Sequence, residues 1–178
     1  PEDPIPLMLG VMAPPAIEAA AAKGYHVQTT PLSATHGVLE SQVSAFFRGR
    51  AQNPAATNRL YLQRGVFLVH SKAERQRMVE TAHRYYASFD NVFGGPGIVD
   101  KGIIRPLPRA QTAEELGQNI LICERQEMID RLAHYAELGI DEVIVTSIFG
   151  QDQEATLDMM SALSTEVMPH LRSIQRKV

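Results

Sequence analysis

The chain has 178 residues, with 17 Lys and Arg against 20 Asp and Glu, which gives a formal charge of −3 when the histidines are neutral. This length supports one domain with a sizeable core, and 44% hydrophobic with 21% charged residues is ordinary for a folded, soluble protein. The mildly acidic balance gives no electrostatic basis for binding nucleic acid or an anionic membrane. No apolar stretch reaches the length of a membrane span.

The cysteine and histidine content bears on compartment and metal binding. The only cysteine, Cys123, has no intrachain disulfide partner, which favours a reducing compartment and predicts a cytoplasmic protein. The six histidines show no metal-ligand spacing with one another or with Cys123, so no metal site is predicted. The sequence begins with Pro1 rather than Met, which indicates a processed product or a piece of a longer chain.

Short apolar runs alternate with helical patterns along the chain, as in βα units on a parallel sheet. The nearly continuous apolar run Ile5–Val11 predicts a strand covered on both faces, followed by a proline-initiated helix that ends at Gly24. A second unit pairs a strand over Tyr25–Thr30 with a helix over His36–Arg50.

Two further units follow the same alternation. A strand over Gly65–His70 leads into a helix to about Phe89, which a capping box of Ser71 and Glu74 opens. After a helix over residues 125–138, the last unit combines a strand over Glu142–Ser147 with a helix over Gln153–Met168. Pro169 is expected to end that helix.

Residues 91–119 interrupt the pattern. They are rich in Gly and Pro, and they carry only a brief helical signal over residues 112–116. An irregular segment of this length inside a compact domain indicates a functional lid or a disordered loop. We therefore treat residues 91–119 as a lid insertion in a single domain that spans residues 1–178.

The number of units poses a physical problem. A parallel sheet of four strands leaves two edges with unpaired N–H and C=O groups. A closed barrel of βα units needs eight strands and about 250 residues. The sequence therefore predicts half of a barrel.

Three stretches resemble the bacterial luciferase-like, flavin-dependent monooxygenases, specifically their C-terminal half. Residues 139–144 together with 164–172, which contain Glu-Val-Met-Pro, are similar to the last strand and helix of that family. Leu68–Val92 resembles the seventh strand and its helix in the luciferase α subunit, and Pro4–Thr30 resembles the fifth and sixth strands. The resemblance implies an α/β fold in which this chain supplies strands five to eight of a (β/α)8 TIM barrel.

The resemblance also implies a chemistry. Members of the family bind FMN, usually reduced, at the C-terminal mouth of the barrel and use O2 to oxygenate an apolar or long-chain organic substrate. Their main catalytic groups come from the first four βα units, so this chain alone is expected to have little turnover. The implied partners are the missing N-terminal half of the barrel or another copy, in a homo- or heterodimer.

Two alternatives to the oxygenase remain open from the sequence. One is a non-catalytic luciferase-like chain that serves as a flavin-binding protein or partner subunit. The other is a related oxidoreductase that uses a deazaflavin cofactor for hydride transfer. The lid-length segment favours the oxygenase, because the structural partner subunit of luciferases lacks such a lid.

The candidate cofactor-binding residues are Met12, Ala13, Ala16 and Thr30. The turn from Met12 to Ala16 precedes a helix N-terminus, where N–H groups and the helix dipole attract a phosphate. The family contacts the FMN phosphate at this turn, often through Ser and Thr, whereas this chain has alanines separated by two prolines. A plain helix start is the alternative. Thr30 lies where the family places the flavin ring, and its hydroxyl could instead satisfy the neighbouring backbone.

The candidate catalytic residues are His70 and Lys101. His70 ends a strand at the face where barrels carry their active sites, and a histidine there could serve as acid or base. A strand-end histidine with only a structural hydrogen bond is the alternative. Asp100-Lys101-Gly102 resembles a sequence in the mobile loop that closes over the flavin in luciferases, so Lys101 could reach the flavin or substrate. A solvated lysine at a loop tip is the competing interpretation.

Overall fold

The computed structural model describes residues 5–172. The Pro-Glu-Asp-Pro opening, and with it the first residue of the stretch Pro4–Thr30, lies outside the described residues. The chain forms two compact units. Residues 5–65 and 130–146 form the first unit, and residues 66–129 and 147–172 form the second.

The elements are numbered in chain order within residues 5–172. The strands are β1 Met8–Gly10, β2 His26–Thr29, β3 Leu60–Leu68, β4 Val99–Asp100, β5 Ile103–Ile104, β6 Leu121–Cys123 and β7 Glu142–Thr146. The helices are α1 Pro14–Ala22, α2 His36–Ala51, α3 Lys72–Phe93, α4 Ala113–Asn119, α5 Arg125–Glu137, α6 Gln153–Ala162 and α7 Met168–Leu171, with a π-helical segment Leu163–Val167 between the last two. In this range, no helix is both long and apolar enough to cross a bilayer.

The first unit is a parallel sheet with one well-buried face. Strands β1, β2 and β3 lie side by side in that order, and β7 pairs with β3, all in parallel. Burial alternates along β2 and the start of β3, where Val27, Leu60 and Leu62 are fully buried and the residues between them are partly exposed. Helices α1 and α2 contribute the apolar side chains of this core: Ile17, Ala20, Ala21, Leu39, Val43 and Phe46.

Helices α1 and α2 approach each other closely at a glycine. A Cβ atom placed on Gly49 would lie 2.2 Å from the carbonyl oxygen of Glu18 and 2.9 Å from the Cβ of Ala21. The Glu18 carboxylate also pairs with Arg48 at 3.0 Å. The spacing of these helices, and with it the position of α1 on the sheet, therefore depends on the absence of a side chain at residue 49.

The second unit is organised around the end of β3 and helix α3. Residues Val66–Leu68 pair in parallel with β6. Helix α3 begins as predicted, because the Ser71 hydroxyl accepts a hydrogen bond from Glu74 N and the Glu74 carboxylate accepts one from His70 N at 2.7 Å. Tyr85 packs its ring against Phe149 with 5.6 Å between centroids, which places an aromatic cluster on this helix.

Residues 91–119 are more ordered than the sequence predicted. Strands β4 and β5 form an antiparallel hairpin, and the short helical signal corresponds to α4. Thr112 and Glu115 form a capping box at the start of α4, and the hydrogen bond from the Thr112 backbone lowers the pKa of the Glu115 carboxyl. The sequence pattern missed the hairpin because its strands have only two residues each.

One buried side chain holds this hairpin to helix α3. Asn91 is fully buried, and its Nδ2 donates hydrogen bonds to the carbonyl oxygens of Ile98 at 2.7 Å and Arg105 at 2.8 Å. Its Oδ1 accepts a third hydrogen bond from Ile98 N at 2.9 Å. The two ends of the hairpin are therefore fixed by a single amide.

The expected burial of the first strand is wrong for the described residues. Ile5, Leu7 and Met8 are 76%, 55% and 47% exposed, although the sequence pattern predicted a strand covered on both faces. The physical reason is that, among residues 5–172, β1 pairs with β2 on one edge and has no strand on its other edge. An open edge of this kind is what a partial barrel leaves.

Two element boundaries and one additional strand also differ from the predictions. β3 begins at Leu60 rather than Gly65, since the polar residues Gln63 and Arg64 lie within the strand and obscured its apolar pattern. A fifth parallel strand, β6, occurs at the brief apolar run of residues 120–122, which is too short to predict a strand. The last helix passes Pro169 and ends at Leu171, because the preceding π-helical segment shifts the hydrogen-bond register where proline lacks an N–H.

The first prediction concerns the contact between α1 and α2. Replacing Gly49 with Ala should lower the free energy of unfolding by about 2 kcal/mol or more, because the new Cβ meets a backbone carbonyl that has no free rotation to escape. Chemical denaturation measures the change. Gly37→Ala, in the same helix, is the matched control: its added Cβ would meet only Thr35 Oγ1 at 4.0 Å, so it should leave stability unchanged or raise it by up to about 1 kcal/mol. Equal stability of both variants would contradict the close contact.

The second prediction concerns the tie between Asn91 and the hairpin. Asn91→Leu removes three hydrogen bonds and should free the hairpin, so trypsin should cleave after Lys101 about tenfold faster while the far-UV circular dichroism is retained. Gln76→Leu, on the exposed side of the same helix, is the control and should leave the cleavage rate unchanged. Unchanged cleavage in Asn91→Leu would show that the hairpin is held by other contacts.

Candidate functional site

The turn between β1 and α1 carries three of the predicted cofactor-binding residues. Met12 and Ala13 are exposed, and neither backbone N–H has a hydrogen-bond partner among the described residues. The N–H of Ala16, in contrast, donates to the Ala13 carbonyl at 2.9 Å. The first two residues of α1 are prolines and have no N–H. The structure therefore leaves the N–H groups of Met12 and Ala13 accessible to an anion, and it engages Ala16 within the turn.

Thr30 lies immediately after β2 in a loop with an unusual backbone. Its Oγ1 accepts a hydrogen bond from Leu32 N at 3.0 Å, and Leu32 has a left-handed φ of 53°. The Thr30 hydroxyl thus satisfies a neighbouring backbone N–H, which was the alternative to flavin binding. Because the hydroxyl oxygen accepts this bond, its proton stays available. The preceding Thr29 is 1% exposed, and its Oγ1 has no hydrogen-bond partner among the described residues.

A buried arginine supports the same loop. Arg64, on β3, is 3% exposed, and its Nη1 donates to the Leu32 carbonyl at 3.1 Å. Arg64 on β3 therefore contacts the loop that follows β2 at the left-handed residue Leu32.

The side chain of Gln42, on α2, connects the two candidate segments. It is 2% exposed, and its Nε2 donates hydrogen bonds to the Met12 carbonyl at 3.0 Å and the Thr30 carbonyl at 3.1 Å. The structure thus brings the predicted residues Met12 and Thr30 together through a residue that the sequence analysis missed. The available signal was a polar residue on the apolar stripe of α2, between Leu39 and Phe46.

A row of polar side chains crosses the less buried face of the first unit's sheet. Gln28 Nε2 donates to Gln63 Oε1 at 2.9 Å, and Gln63 Nε2 donates to Thr146 Oγ1 at 3.0 Å. These residues lie on three neighbouring strands, β2, β3 and β7. Gly10 is in register with Gln28, and a Cβ there would have no atom within 4 Å. This face therefore offers hydrogen-bonding groups beside open space, which the sequence analysis also missed.

His70 belongs to the second unit, two residues beyond the end of β3. It is exposed, and its backbone N–H donates to Glu74. Its imidazole has no hydrogen-bond partner among the described residues. Both interpretations of His70 stay open, since its backbone N–H makes a structural hydrogen bond at the strand end while its side chain is exposed.

Lys101 also belongs to the second unit, in the turn of the β4–β5 hairpin. It is exposed and has a left-handed φ of 49°, and Gly102 follows with a φ of 80°. Two consecutive left-handed residues are the mark of the tight turn that joins antiparallel strands. An ion pair between Asp100 and Arg105 at 3.1 Å lies beside the turn. Lys101 is thus presented at the tip of an ordered hairpin.

Comparison with known proteins places these features in context. No protein-family model matches the chain. The chain is 25% identical over 173 residues to the oxygenase component of a flavin-dependent trigonelline monooxygenase from Acinetobacter baylyi. The match covers 92% of this chain and 48% of that protein. The chain therefore spans about half the length of the curated relative that it matches.

Solved structures share the fold at low sequence identity. An F420-dependent secondary alcohol dehydrogenase, in complex with an F420–acetone adduct, has a TM-score of 0.66 at 20% identity, over 97% of this chain and 51% of that one. The oxygenating constituent of 3,6-diketocamphane monooxygenase from Pseudomonas putida, in complex with FMN, has a TM-score of 0.63 at 16% identity, over 92% and 47%. The resemblance seen in the sequence is confirmed: the chain has the α/β fold of the luciferase-like, flavin-dependent TIM-barrel oxidoreductases over about half of their length.

Proposed function

We propose that this chain is part of an FMN-dependent monooxygenase that uses reduced flavin and O2 to oxygenate an apolar or long-chain organic substrate. The observation that carries the proposal is the sequence match to a flavin-dependent oxygenase component along nearly the whole chain. The FMN complex of a structural neighbour supports the choice of cofactor. The match to about half of each relative supports the view that the chain supplies the C-terminal part of the barrel, predicted as strands five to eight, with β6 as a parallel strand beyond the four that were expected.

The first unit offers more hydrogen-bonding groups for the ring of a flavin than for its phosphate. Thr30 has a hydroxyl proton available for a ring oxygen or nitrogen, and the row of Gln28, Gln63 and Thr146 lies beside open space at Gly10. The phosphate end has fewer donors, since only the N–H groups of Met12 and Ala13 are without partners in the β1–α1 turn. A phosphate here would need a further cation, which we propose the rest of the barrel supplies.

The proposed mechanism assigns separate tasks to cofactor and protein. When bound, reduced FMN supplies the electrons that activate O2. Met12 and Ala13 bind the phosphate through backbone N–H groups at the start of α1, where the helix dipole adds a favourable field. Thr30 orients the polar edge of the ring. Ala16 acts only by closing the turn, because its N–H is engaged by Ala13.

The second unit is proposed to contribute the lid and a proton-transfer group. The hairpin that carries Lys101 exposes apolar side chains, with Val99 59% and Ile103 71% exposed. Such side chains could exclude water from an oxygen-activating centre once they are covered. We propose that Lys101 approaches the flavin or substrate when the lid closes, and that His70, with its accessible imidazole, serves as an acid or base.

The proposed partners follow from the open edge of the first unit and from the chemistry. β1 needs a strand on its free edge, which the N-terminal half of the barrel or a second copy could provide in a homo- or heterodimer. Reduced flavin must be regenerated, and the name of the relative, an oxygenase component, supports a separate reductase component. The organic substrate and O2 complete the set, and a cytoplasmic location stays a prediction.

A second candidate function is a deazaflavin-dependent oxidoreductase. The F420-dependent dehydrogenase has a TM-score of 0.66, and its match covers 97% of this chain. Hydride transfer from a deazaflavin does not require protection of an oxygen adduct from water. A lid that is dispensable for turnover would therefore favour this alternative, and a chain that binds neither cofactor would favour a non-catalytic partner subunit.

The binding test separates these functions. The intact natural polypeptide is titrated separately with FMN, reduced FMN and F420, and cofactor fluorescence or absorbance is followed. The oxygenase predicts binding of FMN with about micromolar affinity or better and tighter binding of its reduced form. Preference for F420 would support the deazaflavin alternative. Binding of neither cofactor would contradict both enzymatic proposals.

Lys101 gives a prediction specific to the lid. Lys101→Asn removes the charge but keeps a residue that tolerates the left-handed backbone. We expect the rate of substrate oxygenation to fall about tenfold and the yield of hydrogen peroxide per NAD(P)H consumed by the reductase to rise, with little change in FMN affinity. Lys101→Arg, which keeps the charge, is the matched control. Normal coupling in the Asn variant would show that Lys101 is a solvated loop residue.

A further inference from the structure

Gln42 makes a contact that its helix does not need. A buried position on the apolar stripe of α2 would be filled at lower cost by an aliphatic side chain. Here both protons of one amide nitrogen are used outside the helix, one on the Met12 carbonyl and one on the Thr30 carbonyl. The amide oxygen has no hydrogen-bond partner among the described residues. The burial of this amide is therefore explained by the two segments that it joins.

We infer that Gln42 is a positioning residue for the flavin, which sets the distance between the β1–α1 turn and the loop after β2. The inference rests on the proposed function, because those two segments carry the groups assigned to the phosphate and the ring. Met12 O and Thr30 O each accept from the same nitrogen, so the two carbonyls are held within the span of one amide group. A displacement of either segment would misalign the adjacent donor groups, Ala13 N–H and the Thr30 hydroxyl.

The geometry requires a neutral donor at residue 42. Two carbonyl oxygens face the Nε2 atom, so a carboxylate in this place would add repulsion and an aliphatic group would leave both oxygens without this donor. Asparagine carries the same group on a side chain shorter by one methylene. It would reach one carbonyl at most without movement of α2.

The same unit contains a matched control for this contact. Asn58 is 3% exposed, and its Nδ2 donates to the carbonyls of Ala21 and Tyr25, each at 3.0 Å. Its Oδ1 also has no hydrogen-bond partner among the described residues. The chemistry is the same, but Asn58 joins the end of α1 to the start of β2, whereas Gln42 joins the start of α1 to the end of β2. Only the Gln42 contact touches the proposed cofactor segments.

The experiment compares Gln42→Met with Asn58→Leu in the intact natural polypeptide. Each change replaces the amide by an apolar group of similar size, and both should lower the melting temperature by several degrees. We expect Gln42→Met to weaken FMN binding about tenfold or more and to alter the visible spectrum of bound FMN. Asn58→Leu should leave both within about twofold of the wild type. If Gln42→Met does not fold, Gln42→Asn replaces it and should show the same loss in smaller degree.

The outcomes separate the inference from the proposed function. If the wild type binds FMN and the two variants lose affinity equally, or neither loses any, Gln42 is a stabilising contact and the positioning role is wrong, while the proposed function stands. If the wild type binds neither FMN nor F420, the proposed function is wrong and the positioning role is overturned with it. Loss of affinity confined to the residue 42 variants supports both.

Discussion

One interaction occurs three times within residues 5–172 and each time joins two segments: a buried side-chain amide that donates to two backbone carbonyls. Gln42 and Asn58 do this in the first unit, and Asn91 does it in the second. Carbonyls in turns lack the regular partners that helices and sheets provide, and leaving them unpaired in a buried place is costly. Each of these amides therefore contributes to the position of the segments that it joins.

The Gln42 contact lies in the unit whose sheet ends at the open edge of β1. The parallel sheet of the first unit ends in a short strand whose apolar residues are largely exposed, and the described residues provide no strand beyond it. A strand added at that edge would pair the backbone N–H and C=O groups that β1 leaves free there. In a closed barrel, the β1–α1 turn and the loop after β2 would then lie on the rim at which such barrels bind ligands. The Gln42 contact thus holds together the two rim segments that this unit contributes.

The sequence predicted the regular elements well because their signals are local. Apolar periodicity and the Ser71 capping box identified the helices, and runs of branched residues identified most strands. It failed where the decisive contact is distant: β3 was predicted too short because Arg64 is polar, and its burial involves a contact with Leu32, 32 residues away along the chain. The turn at Met12 and the residue Thr30 were named from the family resemblance. Their connection through Gln42 could not be, since nothing in one sequence shows which carbonyls a glutamine will reach.

The neutrality of the amide contacts also bears on how the site responds to pH. Carboxamides do not titrate in the physiological range. The contacts that Gln42 makes with Met12 and Thr30 are therefore insensitive to pH. The exposed side chain of His70 lies in the second unit and makes neither of these contacts. A pH dependence of turnover that leaves flavin affinity unchanged would consequently be assigned to proton transfer rather than to movement of the rim.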